Sequence, residues 1–446
     1  MLNRRRLLLL LGAFLLTFCV RFLTLQFMRA NLNEPGWFQI GSYAKFDRQA
    51  RAILDGSQRL FWIDDPTRTD LAQYPPAFPA LVALIYKFSN TPSAYAVQTV
   101  VWTIDLFLSF VLVTGIAWTA FGWRAAMVAS FLFALSPLFA LYGAYPSADA
   151  PTTWFVLAGV WLLILAAQRV NLWFALGAGV LLGIACWFRV NPLYLCFAWA
   201  SALFVFTQAS WRKRLSMAVM VLAGSFVVIA PIVVRNYLVF PDFTPTGGTI
   251  GANLWEGLGE TELGRQHGFI LGDNKMVEVE RIKFGLPADA TLELPDGIRR
   301  DRERTRESLA FIKQHPIWYA GVMVGRMWGM LKVFGGPVPF TGTSGINVTS
   351  AKCLSPARQG GVLAFVVRVL GMIQSVVRYL FLPLAAFGIW IGIRRDWRLS
   401  CILLVTVLYY LVPGTAAHTE IRYVLPMHGL LTVFAGCAVV GCAVRK

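Results

Sequence analysis

Charge is what this chain has least of. Only 14% of its 446 residues are Asp, Glu, Lys or Arg, against 57% hydrophobic, and the mean hydropathy is +0.60. Soluble domains carry about 25% charged and about 45–50% apolar residues, so a water-soluble globule is excluded and a polytopic membrane protein is implied. Acidic residues are the scarcer sign: 23 Asp and Glu stand against 40 Lys and Arg, for a formal net charge of +17. The positives lie in short clusters between apolar runs, as the positive-inside rule requires. That scatter is not the stripe of a nucleic-acid module, and no nucleic-acid partner is expected.

Cysteine is sparse and poorly spaced for chemistry. Six of the seven (Cys19, Cys186, Cys196, Cys401, Cys437, Cys442) fall in apolar runs and Cys353 in a loop. An odd count without a CxxC pair argues against a disulfide framework or a zinc site. No small-x-small cleavage site follows Arg4-Arg5-Arg6 and the run Leu7 to Val20, so this stretch reads as a retained anchor. Internal repeats and low-complexity tails are also missing.

What is present is a series of long apolar runs. A span needs about 20 mostly apolar residues. Ten are expected, at 7–27, 98–120, 125–144, 152–168, 172–188, 192–208, 215–235, 374–393, 399–415 and 422–443. The fold class is therefore an all-α polytopic membrane protein of about ten transmembrane helices, with juxtamembrane helices and two large outer-face loop regions. The run Phe78 to Phe88 is too short and reads as interfacial or re-entrant. Keeping it out of the membrane places Arg124, Arg169, Arg212-Lys213-Arg214, Arg394-Arg395-Arg398 and Arg445-Lys446 on the cytoplasmic side with Arg4-Arg5-Arg6. Pro316 to Phe334, interrupted by Arg326 and Lys332, reads as juxtamembrane. The chain then divides into an anchor (1–27), a first outer region (28–97), a six-span core (98–235), a second outer region (236–373) and three C-terminal spans (374–446). Both termini are expected in the cytoplasm. The basic run Arg299 to Arg306 reads as a solvated helix face.

Three arginines break the charge rule. Arg189, Arg235 and Arg422 fall at outer ends of spans, where positive charge is disfavoured. A guanidinium fork binds phosphate oxygens bidentately and keeps its charge there, so an anionic ligand is one reading. The other is salt bridging, Arg422 with Glu420 and Arg235 with Asp242. His418, four residues before Arg422, faces the same way if the helix extends that far. Among carboxylates, Asp47 lies on the Tyr43-Asp47-Ala50-Leu54 face of a short amphipathic segment. Asp149 lies in the outer turn before the fourth span, suited to base chemistry, metal ligation or helix capping. Asp105 sits some 10 Å inside the second span at about 1.5 Å per residue, where it requires a partner. Asp64, Asp65 and Asp70 read as solvated loop residues.

The order of these pieces resembles the GT-C glycosyltransferases, in the branch of the protein mannosyltransferases and the lipid A aminoarabinose transferase. The matching pieces are an acidic outer helix ending at Gly56 and Tyr74-Pro75-Pro76-Ala77-Phe78-Pro79 before a short apolar run. Further on come Ser136-Pro137-Leu138 with Asp149, Arg189 with Pro192, and Arg235-Asn236 before Asn253-Leu254-Trp255-Glu256-Gly257. The last is Arg422-Tyr423-Val424-Leu425-Pro426. The resemblance implies an enzyme that moves a sugar from a polyprenyl-phosphate donor to a glycan, lipid or protein acceptor on the outer face of a bacterial cytoplasmic membrane, with inversion. It implies Asp47 as base, Asp149 as a second acid, and Arg189, Arg235 and Arg422, with His418 and Tyr74, as contacts to the lipid phosphate or substrate. Asp105 and Glu256 are further polar candidates. Some members use a divalent metal (Mg or Mn), for which Asp47 and Asp149 are the candidate ligands. The sequence departs from the family at Ser42, where many members carry the loop acid. A carrier or flippase for a lipid-linked or small polar substrate is the competing reading, and Asp105 lining a path through the membrane is what it predicts.

Overall fold

A computed structural model describes residues 4–30, 42–89, 92–245, 247, 249–331, 361–418 and 420–441. Lys332, Cys353, Cys442, Arg445 and Lys446 lie outside the described residues. Nineteen α-helices and no strand occur among those described. In chain order they are α1 (Arg4–Ala30), α2 (Ser42–Leu54), α3 (Thr69–Gln73), α4 (Ala77–Phe88), α5 (Ala94–Phe121), α6 (Trp123–Ala134) and α7 (Pro137–Ala144). Next come α8 (Asp149–Arg169), α9 (Leu172–Phe188), α10 (Leu195–Phe206), α11 (Trp211–Val239), α12 (Ile250–Gly259) and α13 (Glu262–Gln266). The last are α14 (Asp273–Phe284), α15 (Gly297–Gln314), α16 (Pro316–Leu331), α17 (Gly361–Arg395), α18 (Trp397–Leu411) and α19 (Leu425–Gly441).

Every expected span coincides with a helix or a broken helix, but length divides them. Among the described residues seven helices are long and apolar enough to cross a membrane, and α6 with α7 makes an eighth if that pair, bent by 61°, is one span. Pro137 explains the bend, because it offers no N–H to the preceding turn and Ser136 turns its own N–H to the Phe133 carbonyl. The helices α9 and α10, with 17 and 12 residues, are apolar but shorter than the roughly 20 residues of a full span and stand outside these seven or eight. At about 1.5 Å per residue, the shorter covers roughly 18 Å of a core about 30 Å thick. The helix α17 begins well before residue 374, the expected start of its span. The run Phe78 to Phe88 forms α4, packed on α2 and too short to cross.

Small residues draw the spans together. A Cβ on Gly179 of α9 would stand 2.1 Å from the Val221 carbonyl of α11, and one on Gly388 of α17 would meet the Phe434 carbonyl of α19 at 1.8 Å. Backbones this close gain packing and polar contacts that larger side chains would prevent. The helix α19 lies at the centre, touching α5, α6, α8, α17 and α18.

The basic clusters of Arg4 to Arg6, Arg124, Arg169, Arg212 to Arg214 and Arg394 to Arg398 lie at one end of this bundle. There Arg6 stacks over Trp123 and Arg395 donates to the Phe121 carbonyl. The opposite end collects the C-termini of α1, α7, α9, α11 and α18 with the N-termini of α5, α8 and α19. It is tied by Gln98 to the Ala144 carbonyl (2.9 Å) and by Asn191 to the Tyr423 carbonyl (3.3 Å). The segment from α12 to α16 has a hydrophobic core of its own, built on Trp255, Leu258, Phe269, Met276, Phe311 and Tyr319. Its basic helix is not the solvated face expected. Arg300 and Arg304 are buried and both bind Glu280 of α14, while Arg302 and Arg306 remain outside with Asp242 and Glu303. Two desolvated guanidiniums must find a carboxylate, and α14 supplies it.

Candidate functional site

The site-bearing end owes its shape to interrupted helices. Between α18 and α19 the chain makes two short 3-10 turns, Pro413–Thr415 and Ile421–Val424, and the stretch from 416 to 424 presents His418, Glu420, Arg422 and Tyr423. Asn253 of α12 holds this loop by accepting the His418 N–H at 2.8 Å. Glu256 of α12 and Glu260, the residue that closes that helix four positions on, face it. His418 Nδ1 bonds Glu260 at 2.6 Å, and its Nε2 stands 3.8 Å from Glu420 and 4.0 Å from Glu256. Burial opposes a charge on this imidazole, yet Glu260, Glu420 and Glu256 outweigh it and push its pKa up to about 11. Burial pushes Glu420 upward, but His418 and Arg422 pull it below the usual carboxylate range. Behind Glu260, the fully buried Arg326 of α16 binds it at 3.3 Å and the Gly257 carbonyl at 2.5 Å.

Arg422 pairs with Glu420 at 2.6 Å and stacks on Tyr423, but its buried Nε–H meets no acceptor among the described residues. On the other face of this group, Arg189 closes α9, pairs with Asp149 and lies 4.3 Å from the centre of the Tyr423 ring. Asp149 stands in the first turn of α8, where a carboxylate is favoured by the helix dipole, and accepts from the Ser147 hydroxyl at 2.8 Å. It does not cap the helix: Ala148 occupies that position without a side-chain bond. Asp149, Arg189, His418, Arg422 and Glu256 thus come together from three regions of the chain. Tyr142 and Tyr145 at the end of α7 lie within electrostatic reach of Asp149, Glu420 and Arg422.

The segment from α2 to α4 contributes to a second constellation. Lys45 of α2 bonds the Tyr74 hydroxyl at 2.9 Å and pairs with Glu293. Burial opposes its charge, but Tyr74 and Glu293 prevail and raise its pKa above the usual lysine range. Asp273, at the start of α14, interacts electrostatically with Lys45 on one side and His418 on the other. Asp47 does not join either group. Its carboxylate accepts from the Tyr86 hydroxyl at 2.5 Å and from Arg51 at 3.0 Å, which fastens α2 to α4. Arg235 also stands apart. Buried in α11, it bonds the Asn236 side chain and the Phe61 carbonyl and lines a first-loop cleft with Tyr74, Phe61 and Pro76. Asp242, the partner in the salt-bridge alternative, belongs to Arg302, and Arg235 pairs with no carboxylate among the described residues.

Asp105 has the partner its depth required. Arg21 of α1, the Trp154 indole (2.6 Å) and the Ser109 hydroxyl (2.5 Å) surround it, and both charges are buried. It is enclosed within the bundle and does not line a path. No group of three or more His, Cys, Asp or Glu suited to a metal ion occurs among the described residues. Asp47 and Asp149 occupy separate places with their oxygens engaged, so that pair does not form a divalent-metal site in this arrangement. Lys45, Glu260, Glu293, Arg326 and Tyr423 were not singled out from sequence. Charges interrupting apolar segments pointed to Arg326 only as a break, Tyr423 entered only as a neighbour in the Arg422 motif, and nothing local marked Lys45, Glu260 or Glu293.

Two comparisons bear on this arrangement. Residues 73–234 match the family model for dolichyl-phosphate-mannose-protein mannosyltransferase. No curated protein matches the sequence. Among solved structures, the chain is similar to the oligosaccharyltransferase of Archaeoglobus fulgidus in its apo form. The two share 15% identity at a TM-score of 0.52, over 96% of this chain and 50% of that one. It is similar to the same enzyme tethered to an acceptor peptide, with 15% identity and a TM-score of 0.51 over 97% and 49%. It is also similar to that enzyme with an inhibitory peptide and a dolichol-phosphate, with 14% identity and a TM-score of 0.50 over 97% and 50%. The chain thus spans about half the length of the structure it matches. Family model and fold together bear out the resemblance to the GT-C superfamily of membrane glycosyltransferases.

Proposed function

We propose that the protein transfers a sugar from a polyprenyl-phosphate donor to a hydroxyl of a glycan, lipid or protein acceptor, with inversion at the anomeric carbon. The observation that carries this is the pair of guanidiniums flanking Tyr423: Arg189, and Arg422 with its unfilled Nε–H. An arginine fork is matched to a phosphate, and burial makes an unfilled donor costly until an anion arrives. When the bond from the sugar to phosphate breaks, negative charge grows on the lipid phosphate oxygen. Cations already fixed in place stabilise that charge without reorganising. Arg235 and Tyr74 in the first-loop cleft form a second polar contact surface for the donor head. The match to a mannosyltransferase family model and the fold shared with an oligosaccharyltransferase support the same chemistry.

The site end faces outward in this reading, because the basic clusters lie at the opposite end and belong in the cytoplasm with both termini. A bacterial cytoplasmic membrane is the setting that fits. The enclosure of Asp105 by Arg21, Trp154 and Ser109 weighs against the carrier reading.

The test is a transfer assay with the purified protein and a panel of polyprenyl-phosphate sugars. Transfer from at least one donor is expected, and Arg422→Ala is expected to lower kcat/KM by about 100-fold. Lack of transfer with every donor, together with scrambling of donor lipid in liposomes, would replace the enzyme with a carrier.

A further inference from the structure

We propose that Glu256 takes the proton from the acceptor hydroxyl, a role that rests on the transferase reading above. The geometry separates it from the paired acids nearby, and Asp273 of α14, the remaining one, is drawn to Lys45 as well as to His418. Asp149 is held by Arg189 and Ser147, Glu420 by Arg422, Glu260 by His418 and Arg326, and Asp47 by Arg51 and Tyr86. Glu256 has no partner within hydrogen-bond distance among the described residues. Its nearest cation is His418 Nε2 at 4.0 Å, and its side chain keeps 19% of its surface open while that of Glu260 keeps 4%. A carboxylate that is open and not already hydrogen-bonded has lone pairs left for a substrate proton.

His418 cannot take that proton itself. Its imidazole is already protonated at neutral pH, and its ring is fixed by the 2.6 Å bond to Glu260. Close approach of the loop to α12 is possible because residue 257 is glycine: a Cβ there would stand 2.7 Å from both the His418 backbone nitrogen and Arg326. The groups facing Glu256 are Glu260 on its own helix, His418 and Glu420 on the loop, and Asp273 on α14. Burial raises the Glu256 pKa, His418 opposes this, and the three acids add to it, leaving a stronger base than an ordinary carboxylate.

The distances also suit the reaction. Glu256 reaches His418 at 4.0 Å, His418 reaches Glu420 at 3.8 Å, and Glu420 reaches Arg422 at 2.6 Å. Glu256 and Arg422 therefore lie no more than about 10 Å apart, a bound that keeps a base and a phosphate-binding guanidinium within reach of one acceptor oxygen and anomeric carbon. In the step, the acceptor O–H loses its proton to the Glu256 carboxylate and the oxygen forms a bond to the anomeric carbon. The bond from that carbon to phosphate oxygen breaks, and its electron pair stays on the lipid phosphate beside Arg422 and Arg189. The proton then passes from Glu256 to water.

The experiment compares the full chain in nanodiscs with Glu256→Gln and Glu256→Asp, using the polyprenyl-phosphate sugar that supports wild-type transfer. Glu256→Gln is expected to lower kcat by about 100- to 1000-fold, keep the donor KM within about threefold, and abolish the acid limb of the kcat profile against pH. Glu256→Asp is expected to keep partial activity with that limb displaced, which separates lost chemistry from lost folding. A Glu256→Gln enzyme within about threefold of wild type, or one that is slow but keeps its acid limb, would overturn the assignment. So would a rise in donor KM alone. A wild-type protein inactive with every donor would instead bring down the transferase reading, and Glu256 with it.

Discussion

Arg189 joins two parts of the site at once, pairing with Asp149 at the head of α8 while its guanidinium lies 4.3 Å over the Tyr423 ring. The first partner is entirely buried, and the second belongs to the loop that leads into α19. One side chain therefore ties α8 and α9 to the loop that precedes α19.

Arg189→Ala is expected to cost more than a lost contact, because it leaves the Asp149 carboxylate buried and unpaired. A loss of about 3–5 kcal/mol in stability is expected, read as a lower Tm in detergent. Neutralising both partners with Arg189→Gln and Asp149→Asn is expected to restore most of that stability and none of the transfer. Equal Tm values for Arg189→Ala and the double variant would show that the buried charge is not the cause.

His418 makes the site sensitive to alkali. Its folded pKa of about 11 lies above the ordinary 6.5, so its contribution is complete below the unfolded value and is lost as pH rises through about 11. The stability gap between wild type and His418→Gln is therefore expected to narrow as pH increases from about 7 to about 10. Glu420 runs the other way, its depressed pKa giving a contribution that is lost as pH falls through the folded value. Thermal unfolding from about pH 7 to about pH 10 measures the His418 contribution, and a gap that widened with pH would contradict the placement of His418.

Gly143 is held small by the buried ion pair of the bundle. A Cβ there would stand 2.2 Å from Asp105 Oδ2 and 3.0 Å from Arg21, and neither side chain has exposed space to retreat into. Gly143→Ala is expected to destabilise the protein by at least about 1–3 kcal/mol, the usual range for overpacking. A Tm unchanged from wild type would mean that Arg21 and Asp105 are not packed against α7.

Orientation can be read from reporters. A fluorescent protein that matures only in the cytoplasm, inserted between α10 and α11 at Ala209, is expected to glow. The same insertion at Asp242, after α11, is expected to stay dark. Reversed signals would put the Arg422 site on the cytoplasmic side and exclude an outer-face acceptor.

Much of the frame was legible along the chain because hydropathy is a local property. Whether twenty residues can cross a bilayer depends on those twenty, so the apolar runs, the short Phe78 to Phe88 segment and the alternation of basic clusters could be read without a structure. Length misled at α10, where turns consumed part of the run, and at α9, where the run itself is only 17 residues long. The interior of the site was another matter. Ion pairing depends on neighbours that are distant in sequence, and the nearest acid along the chain is often not the partner. Asp242 looked right for Arg235 and went to Arg302, and the apparently solvated Arg300 and Arg304 closed on Glu280. His418 found Glu260, 158 positions away, and Asp105 found Arg21 on the first helix.

The amino-acid sequence alone determined a many-helix membrane protein, the end of it that carries misplaced arginines, and the family those motifs resemble. Only the tertiary structure decided which charges meet. A buried charge must be matched in three dimensions, so folding set Asp47 against Tyr86 and Arg51, drew Asp149 to Arg189, and left the Glu256 carboxylate open beside His418.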